Sequence, residues 1–296
     1  MRLALIFDKQ RPDTTGGYFE RACRRLGLAC DHWQLCDAER IPADYALYLR
    51  IDHGDDYAVR LPARLRPAVF YAIDTHLAHS WRKIRAAAGW YDLVFCAQRA
   101  AARRLPGAEW LPLASDEDLH STAGRAPEWD VAFIGTDGGV PRKFYLQVLR
   151  ERYPKHYIGA AEHTALGSIY SRARIGFNYA IANDVNMRVF EVLAAGTLLV
   201  TNALPHDDLE ALGLQDGRHL ALYRSPQELF ATIDRFLAQE DARRVIAQAG
   251  CELVRAHHTY THRVRHLLAR VSERLGVAVH DAVRSPSVAG VRHKGD

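Results

Sequence analysis

Nowhere does this chain run eighteen or more apolar residues without interruption, the length a membrane-spanning helix needs. Its opening, MRLALIFDKQ, reaches Asp8 too soon for a secretory signal, so a cytoplasmic location is expected. Close cysteine pairs are missing as well. Cys23, Cys30, Cys36, Cys96 and Cys251 are odd in number and lack CxxC spacing, which argues against structural zinc and a full disulfide framework. They read as reduced thiols, most of them core filler. The 15 histidines are scattered and build no HExxH helix, so no metal site is expected. Charge of one sign is scarce: 39 basic against 35 acidic residues leave a formal +4. That excess suits an anionic ligand, or at most a peripheral membrane contact, and gives no reason to expect nucleic acid. Coiled-coil heptads, solenoid repeats and low-complexity tracts are absent.

What is present is the composition of a globular protein, 48% hydrophobic and 25% charged, in a chain of 296 residues long enough for two cores. Buried-strand patterns alternate with helical ones, which predicts an α/β fold. RLALIF (Arg2 to Phe7), CDHWQL (Cys30 to Leu35), YALYLRID (Tyr45 to Asp52), the strand within Arg66 to His76, YDLVFCAQ (Tyr91 to Gln98) and AEWLPLASD (Ala108 to Asp116) supply the strands of a first unit. The polar, aperiodic stretch from Ser115 to Asp130 reads as a connection between domains. The divisions expected are 1–120, 121–276 with terminal helices, and a poorly ordered tail over 277–296.

Within the first unit a loop from Asp13 to Gly17 follows the first strand. Gly16 and Gly17 there either let the backbone approach a ligand on the acceptor side or serve simple turn chemistry. The run His53 to Asp56 reads as a solvated loop. Asp74 and His76 close a strand at its carboxyl end, where ligand groups gather in open α/β sheets. A carboxylate and an imidazole two residues apart can bind an acceptor hydroxyl and take its proton; the alternative is a helix cap beside an exposed histidine.

In the second unit DVAFIGTDGG is a strand and a glycine turn containing Gly135, and a helix follows with Pro141 at its first turn. Its start predicts an anion site with Arg142 beside it, unless the cations there merely face solvent. From Ile175 to Asn202 come a strand, a loop with Asn183, Asp184 and Asn186, a helix from about Met187 to Ala195, a stop at Gly196 and another strand. The three loop residues are of helix-capping type. Arg188 and Glu191 share one helix face and offer either a cation and a carboxylate to a ligand or a surface ion pair. Beyond Asn202 a polar helix-and-turn segment, a short strand from His219 to Arg224, a helix with Ser225 as its cap and Pro226 at its first position, and a long helical stretch broken near His257 to Thr261 are expected.

NMRVFEVLAAGTLLVTN, with HHTYTHRVRHLL some sixty residues later, resembles the spore-maturation-protein-like (CgeB-type) glycosyltransferases of GT-B type. Their N-x-R-x-F-E-x-x-A-x-G and H-T-Y-x-x-R patterns are both met, and FYAIDTH, YDLVFCAQ and WLPLASD look like their amino-terminal domain. The resemblance implies two Rossmann-like domains facing a cleft, the first presenting an acceptor, the second holding a nucleotide-sugar donor. It further implies transfer without a metal or other cofactor, from a uridine diphosphate sugar, to a glycan, protein or small molecule. By similarity Glu191 accepts from the ribose hydroxyls, and Arg188 and Arg142 offset diphosphate charge, with Gly135, Asn183 and Asn186 completing the donor side. Wider relatives carry two glutamates separated by seven residues; the first would fall at Asn183, so their sugar-contacting role is not carried over. An inverting reaction would need a base from Asp74 or His76. A sugar-nucleotide epimerase and a non-catalytic sugar-nucleotide-binding protein are the competing readings.

Overall fold

The computed structural model describes residues 1–10, 14–54, 56–121 and 126–278. The tail expected to be poorly ordered lies, from residue 279 on, outside the described residues, as do Asp13, Asp55 and four residues of the expected connection.

The first sheet comprises β1 (Arg2–Ile6), β2 (Ala29–Trp33), β3 (Leu47–Ile51), β4 (Ala68–Ala72), β5 (Leu93–Cys96) and β6 (Glu109–Trp110). Every pairing is parallel, in the order β2-β1-β3-β4-β5-β6. Helices α1 (Thr15–Arg25), α2 (Ala78–Ala87) and α3 (Arg99–Arg104) connect them. Parallel strands need covering on both faces, and β4 shows how the sequence meets that need. Val69 and Tyr71 enter one hydrophobic cluster, while Ala68, Phe70 and Ala72 enter another. The strand expected to run from Ala108 to Asp116 stops at Trp110. Pro112 has no N–H to give a ladder, and the chain leaves the sheet there.

The second sheet holds β7 (Trp129–Ile134), β8 (His156–Gly159), β9 (Ala173–Asn178), β10 (Leu198–Asn202) and β11 (Ala221–Tyr223). It too is parallel, in the order β11-β10-β9-β7-β8. Its helices are α4 (Arg142–Arg152), α5 (Leu166–Tyr170), α6 (Met187–Ala194), α7 (His206–Ala211), α8 (Pro226–Ala238), α9 (Glu240–His257) and α10 (Tyr260–Leu275). Val131 and Phe133 face one cluster with Ile175, Phe177, Leu198 and Val200; Ala132 and Ile134 face the opposite side.

One hydrophobic cluster spans both sheets, running from Leu3, Leu5 and Tyr71 to Val189, Phe190, Tyr260 and Leu267. The last helix, α10, crosses back to pack on α1, with Tyr260 stacked on Tyr18 at 5.0 Å and tilted against Phe19 at 5.6 Å. The connection is correspondingly less exposed than its polarity predicts. Ser115, Asp116 and His120 are all buried, because Ser115 exchanges backbone hydrogen bonds with His258 and Tyr260 at the start of α10.

Candidate functional site

In the second sheet β8 lies on one side of β7 and β9 returns on the other. A crevice opens at such a reversal beyond the carboxyl ends of the strands, and ligands of open α/β sheets bind there. Two arginines converge on it. Arg188, at the start of α6, donates from Nε and Nη2 to the Ile134 carbonyl (3.1 and 2.9 Å) and from Nη1 to Asn178 Oδ1 (2.8 Å). Arg142, at the start of α4, donates from Nε and Nη2 to the Tyr179 carbonyl (3.3 and 3.0 Å) and from Nη1 to the Thr136 carbonyl (3.3 Å). Both guanidinium groups lie over the Phe133 ring, at 4.4 Å for Arg188 and 5.8 Å for Arg142. A guanidinium has five N–H donors. Backbone carbonyls and Asn178 take three on each arginine, and Tyr170 also bonds Arg188; the remaining N–H groups are open to a ligand. Burial and the neighbouring Arg188 cation lower the Arg142 pKa from its ordinary value. Two like charges held this close favour an anion between them.

Gly135 makes this approach feasible. Its φ of +142° lies where residues with a side chain rarely go, and a Cβ there would stand 2.6 Å from Arg188 Nη2. Asn186 sits at the cap position of α6, but its side chain makes no capping bond; Nδ2 donates instead to Asn178 Oδ1 at 3.3 Å, beside Arg188. The capping expectation fails: the Nδ2 bond turns the amide toward Asn178 at the end of β9, and Asn186 Oδ1 is left buried without a hydrogen-bond partner among the described residues. Asn183 does not cap either: it takes a left-handed backbone, φ 51°, and accepts from Asn202 Nδ2 at 3.0 Å.

Glu191 is 8% exposed, with its carboxylate 3.9 Å from His120 Nε2. His120 accepts the Asp116 N–H on Nδ1 at 2.9 Å, so its proton sits on Nε2, toward Glu191. Burial pushes the His120 pKa down to about 3, which keeps the ring neutral. Sequence reasoning missed this residue, which fell in the apparent linker.

Across from these groups stand the strand ends of the first sheet. Asp52, buried at the end of β3, accepts from Tyr57 Oη (2.8 Å), the Gly54 N–H (2.9 Å), the Ile73 N–H (2.9 Å) and the Asp74 N–H (3.2 Å). It thereby fixes the end of β4 that carries Asp74. A cavity of about 170 Å³ is lined by Thr14, Thr15, Asp52, His53, Ile73, Asp74 and, from α6, Met187. A larger and more open one, about 480 Å³, lies against β11 and α8 and contains none of the candidate residues. His76 points elsewhere than Asp74: its Nδ1 is 3.9 Å from Asp184 Oδ2, in the loop before α6.

Gly16 and Gly17 need a correction. They lie in the first turn of α1, not in a loop, because Thr14 caps that helix by accepting the Gly16 N–H at 3.4 Å. Gly16 is small for a packing reason, since a Cβ would stand 2.1 Å from the Phe7 ring. Among the described residues no group of three His, Cys, Asp or Glu side chains could hold a metal ion, and no helix is long and apolar enough to cross a membrane.

The family described as glycosyl transferase-like matches residues 103–269, more than half of the chain. No curated protein matches. Among solved structures, a sucrose-phosphate synthase from Thermosynechococcus elongatus superposes with a TM-score of 0.65 at 13% identity, covering 94% of this chain and 100% of its own. HepE from Anabaena, in complex with UDP-glucose, gives 0.62 at 10% identity over 92% and 100%. Phage T4 BGT in complex with its UDP-glucose substrate gives 0.58 at 11% identity over 94% and 100%. The expected GT-B arrangement is thus the fold observed, two parallel sheets with helices.

Proposed function

This chain belongs to the glycosyl transferase-like family, and from that premise we propose that it moves a sugar from a uridine diphosphate donor to a hydroxyl-bearing acceptor. One observation carries the reading: Arg188 and Arg142 meet over Phe133 at the strand reversal, both held there by backbone carbonyls. Two HepE and BGT structures whose fold this chain shares hold UDP-glucose, which supports uridine as the base.

In the reaction we propose, the acceptor oxygen bonds to the anomeric carbon as the bond from that carbon to the diphosphate oxygen breaks. The electron pair leaves with the diphosphate. Its growing negative charge falls between the two arginines, which are already oriented by backbone carbonyls and so need little reorganisation. The acceptor proton passes to the carboxyl end of β4, where Asp74 and His76 stand. Glu191 takes the ribose hydroxyls, while Gly135, Asn183 and Asn186 shape the donor side. The arginines supply the charge that a metal would otherwise bring, so no cofactor is needed. Within the family we group the chain with the spore-maturation-protein-like members, on NMRVFEVLAAG and HTYTHR.

The test is a thermal-shift panel of nucleoside diphosphates and UDP-sugars. A ligand that binds only the native state raises stability by about 2.7 kcal/mol at a hundredfold excess over its Kd. UDP and a UDP-sugar should raise Tm where adenosine and guanosine diphosphates do not; no shift with any nucleotide contradicts the reading.

A further inference from the structure

One carboxylate of the second half is buried against the first. Asp184, 9% exposed, accepts a hydrogen bond from Gln98 Nε2 at 3.3 Å, and among the described residues no other hydrogen bond reaches its side chain. Gln98 follows β5 and is itself held by the Thr75 hydroxyl, which donates to its Oε1. The same Asp184 oxygen stands 3.9 Å from His76 Nδ1. Burying a carboxylate with one long hydrogen bond is unfavourable for stability. Arg142 lies close enough to feel the Asp184 charge but makes no hydrogen bond to it among the described residues. The arrangement makes chemical sense if the carboxylate serves the imidazole.

We propose that Asp184 is the positioning residue for His76, reaching across the cleft to hold the imidazole as its Nδ1–H tautomer and leave the Nε2 lone pair for the acceptor proton. This rests on His76 as the proton acceptor in the reading above. An approach of about 1 Å turns the contact into a hydrogen bond, and catalytic hydrogen bonds commonly shorten when substrate binds. The pair draws one member from each half, His76 from beyond β4 and Asp184 from the loop before α6, where Gln98 already joins the two halves.

The ring nitrogens report it directly. In 15N spectra, with the His76 signals assigned by their loss in His76→Gln, the wild-type protein should show the Nδ1–H form when saturated with UDP. Asp184→Asn should return the ring to the Nε2–H form that a free imidazole prefers. Asp184→Glu should restore Nδ1–H, and unchanged backbone amide spectra establish that both variants fold. The same tautomer populations in wild type and Asp184→Asn, with and without UDP, overturn the proposal. UDP that perturbs no resonance contradicts the nucleotide reading instead, and the ligand-free comparison then decides the fate of the pair.

Discussion

Arg188 gains its position from groups far apart in sequence. The Ile134 carbonyl and Asn178 Oδ1 fix three of its N–H groups, Phe133 carries its face, and Gly135 leaves the room. Gly135→Ala should therefore act at a distance: a methyl 2.6 Å from Nη2 displaces the guanidinium, and the φ of +142° strains the turn. UDP affinity should fall at least severalfold by calorimetry; wild-type affinity would show that the guanidinium does not need this placement. Glu191→Ala should likewise weaken UDP severalfold or more. Unchanged affinity would remove the ribose role from a carboxylate that is mostly covered. That Arg188 and Glu191 share a face was legible in the sequence, because residues three apart on a helix do so whatever the fold. Asp184 and His120 were not. Gln98 and Asp184 are 86 positions apart, and nothing local in a polar loop or an aperiodic connection predicts which distant side chain it will meet.

Among the elements, the start of α10 is the clearest case of a motif whose work differs from its apparent place. His258, Tyr260 and Arg263, recognisable as H-T-Y-x-x-R, contact neither arginine of the crevice among the hydrogen bonds described. Arg263 is buried and donates from Nε to the Pro112 carbonyl (2.7 Å) and from Nη2 to the Leu113 carbonyl (3.1 Å), both just beyond β6. His258 accepts from the same Nη2 at 3.0 Å and gives its Nε2 proton to the Leu212 carbonyl at 2.8 Å. The motif thus fastens the end of the first sheet to α10. Arg263→Leu leaves those carbonyls buried without donors, at a cost of about 3 kcal/mol. A lower urea midpoint with an unchanged slope is the expected result, and an unchanged midpoint would contradict the fastening role. The helix break near His257 was predictable from Thr259, which caps α10; the destination of Arg263 was not.

For the whole molecule, the shared core ties acid stability to buried histidines. Burial lowers His120 and His258 to about 3, and lowers His219, His262 and His266 as well. A histidine near 6.5 in the unfolded chain and about 3 in the folded one binds more protons when unfolded throughout that interval. Stability should then be full above about pH 6.5 and fall as pH drops toward 3. Urea midpoints across that range check it, and His120→Gln should flatten the slope; an unchanged slope would mean that His120 is not held neutral.

The alternation of strands and helices and the starts of α4 and α6 were readable because strand runs and glycine turns are local signals. How two sheets share one cluster through α1, α6 and α10 was not, since aromatic side chains such as Tyr18 and Tyr260 carry no record of their partners. The central claim is that the two arginines over Phe133 receive the donor diphosphate. Calorimetric titration of UDP into wild type and Arg188→Gln tests it most directly. Each charge-assisted hydrogen bond is worth about 1.5–3 kcal/mol, so the substitution should weaken UDP about tenfold or more while uridine binding stays nearly unchanged. Equal UDP affinity in the two proteins would contradict it.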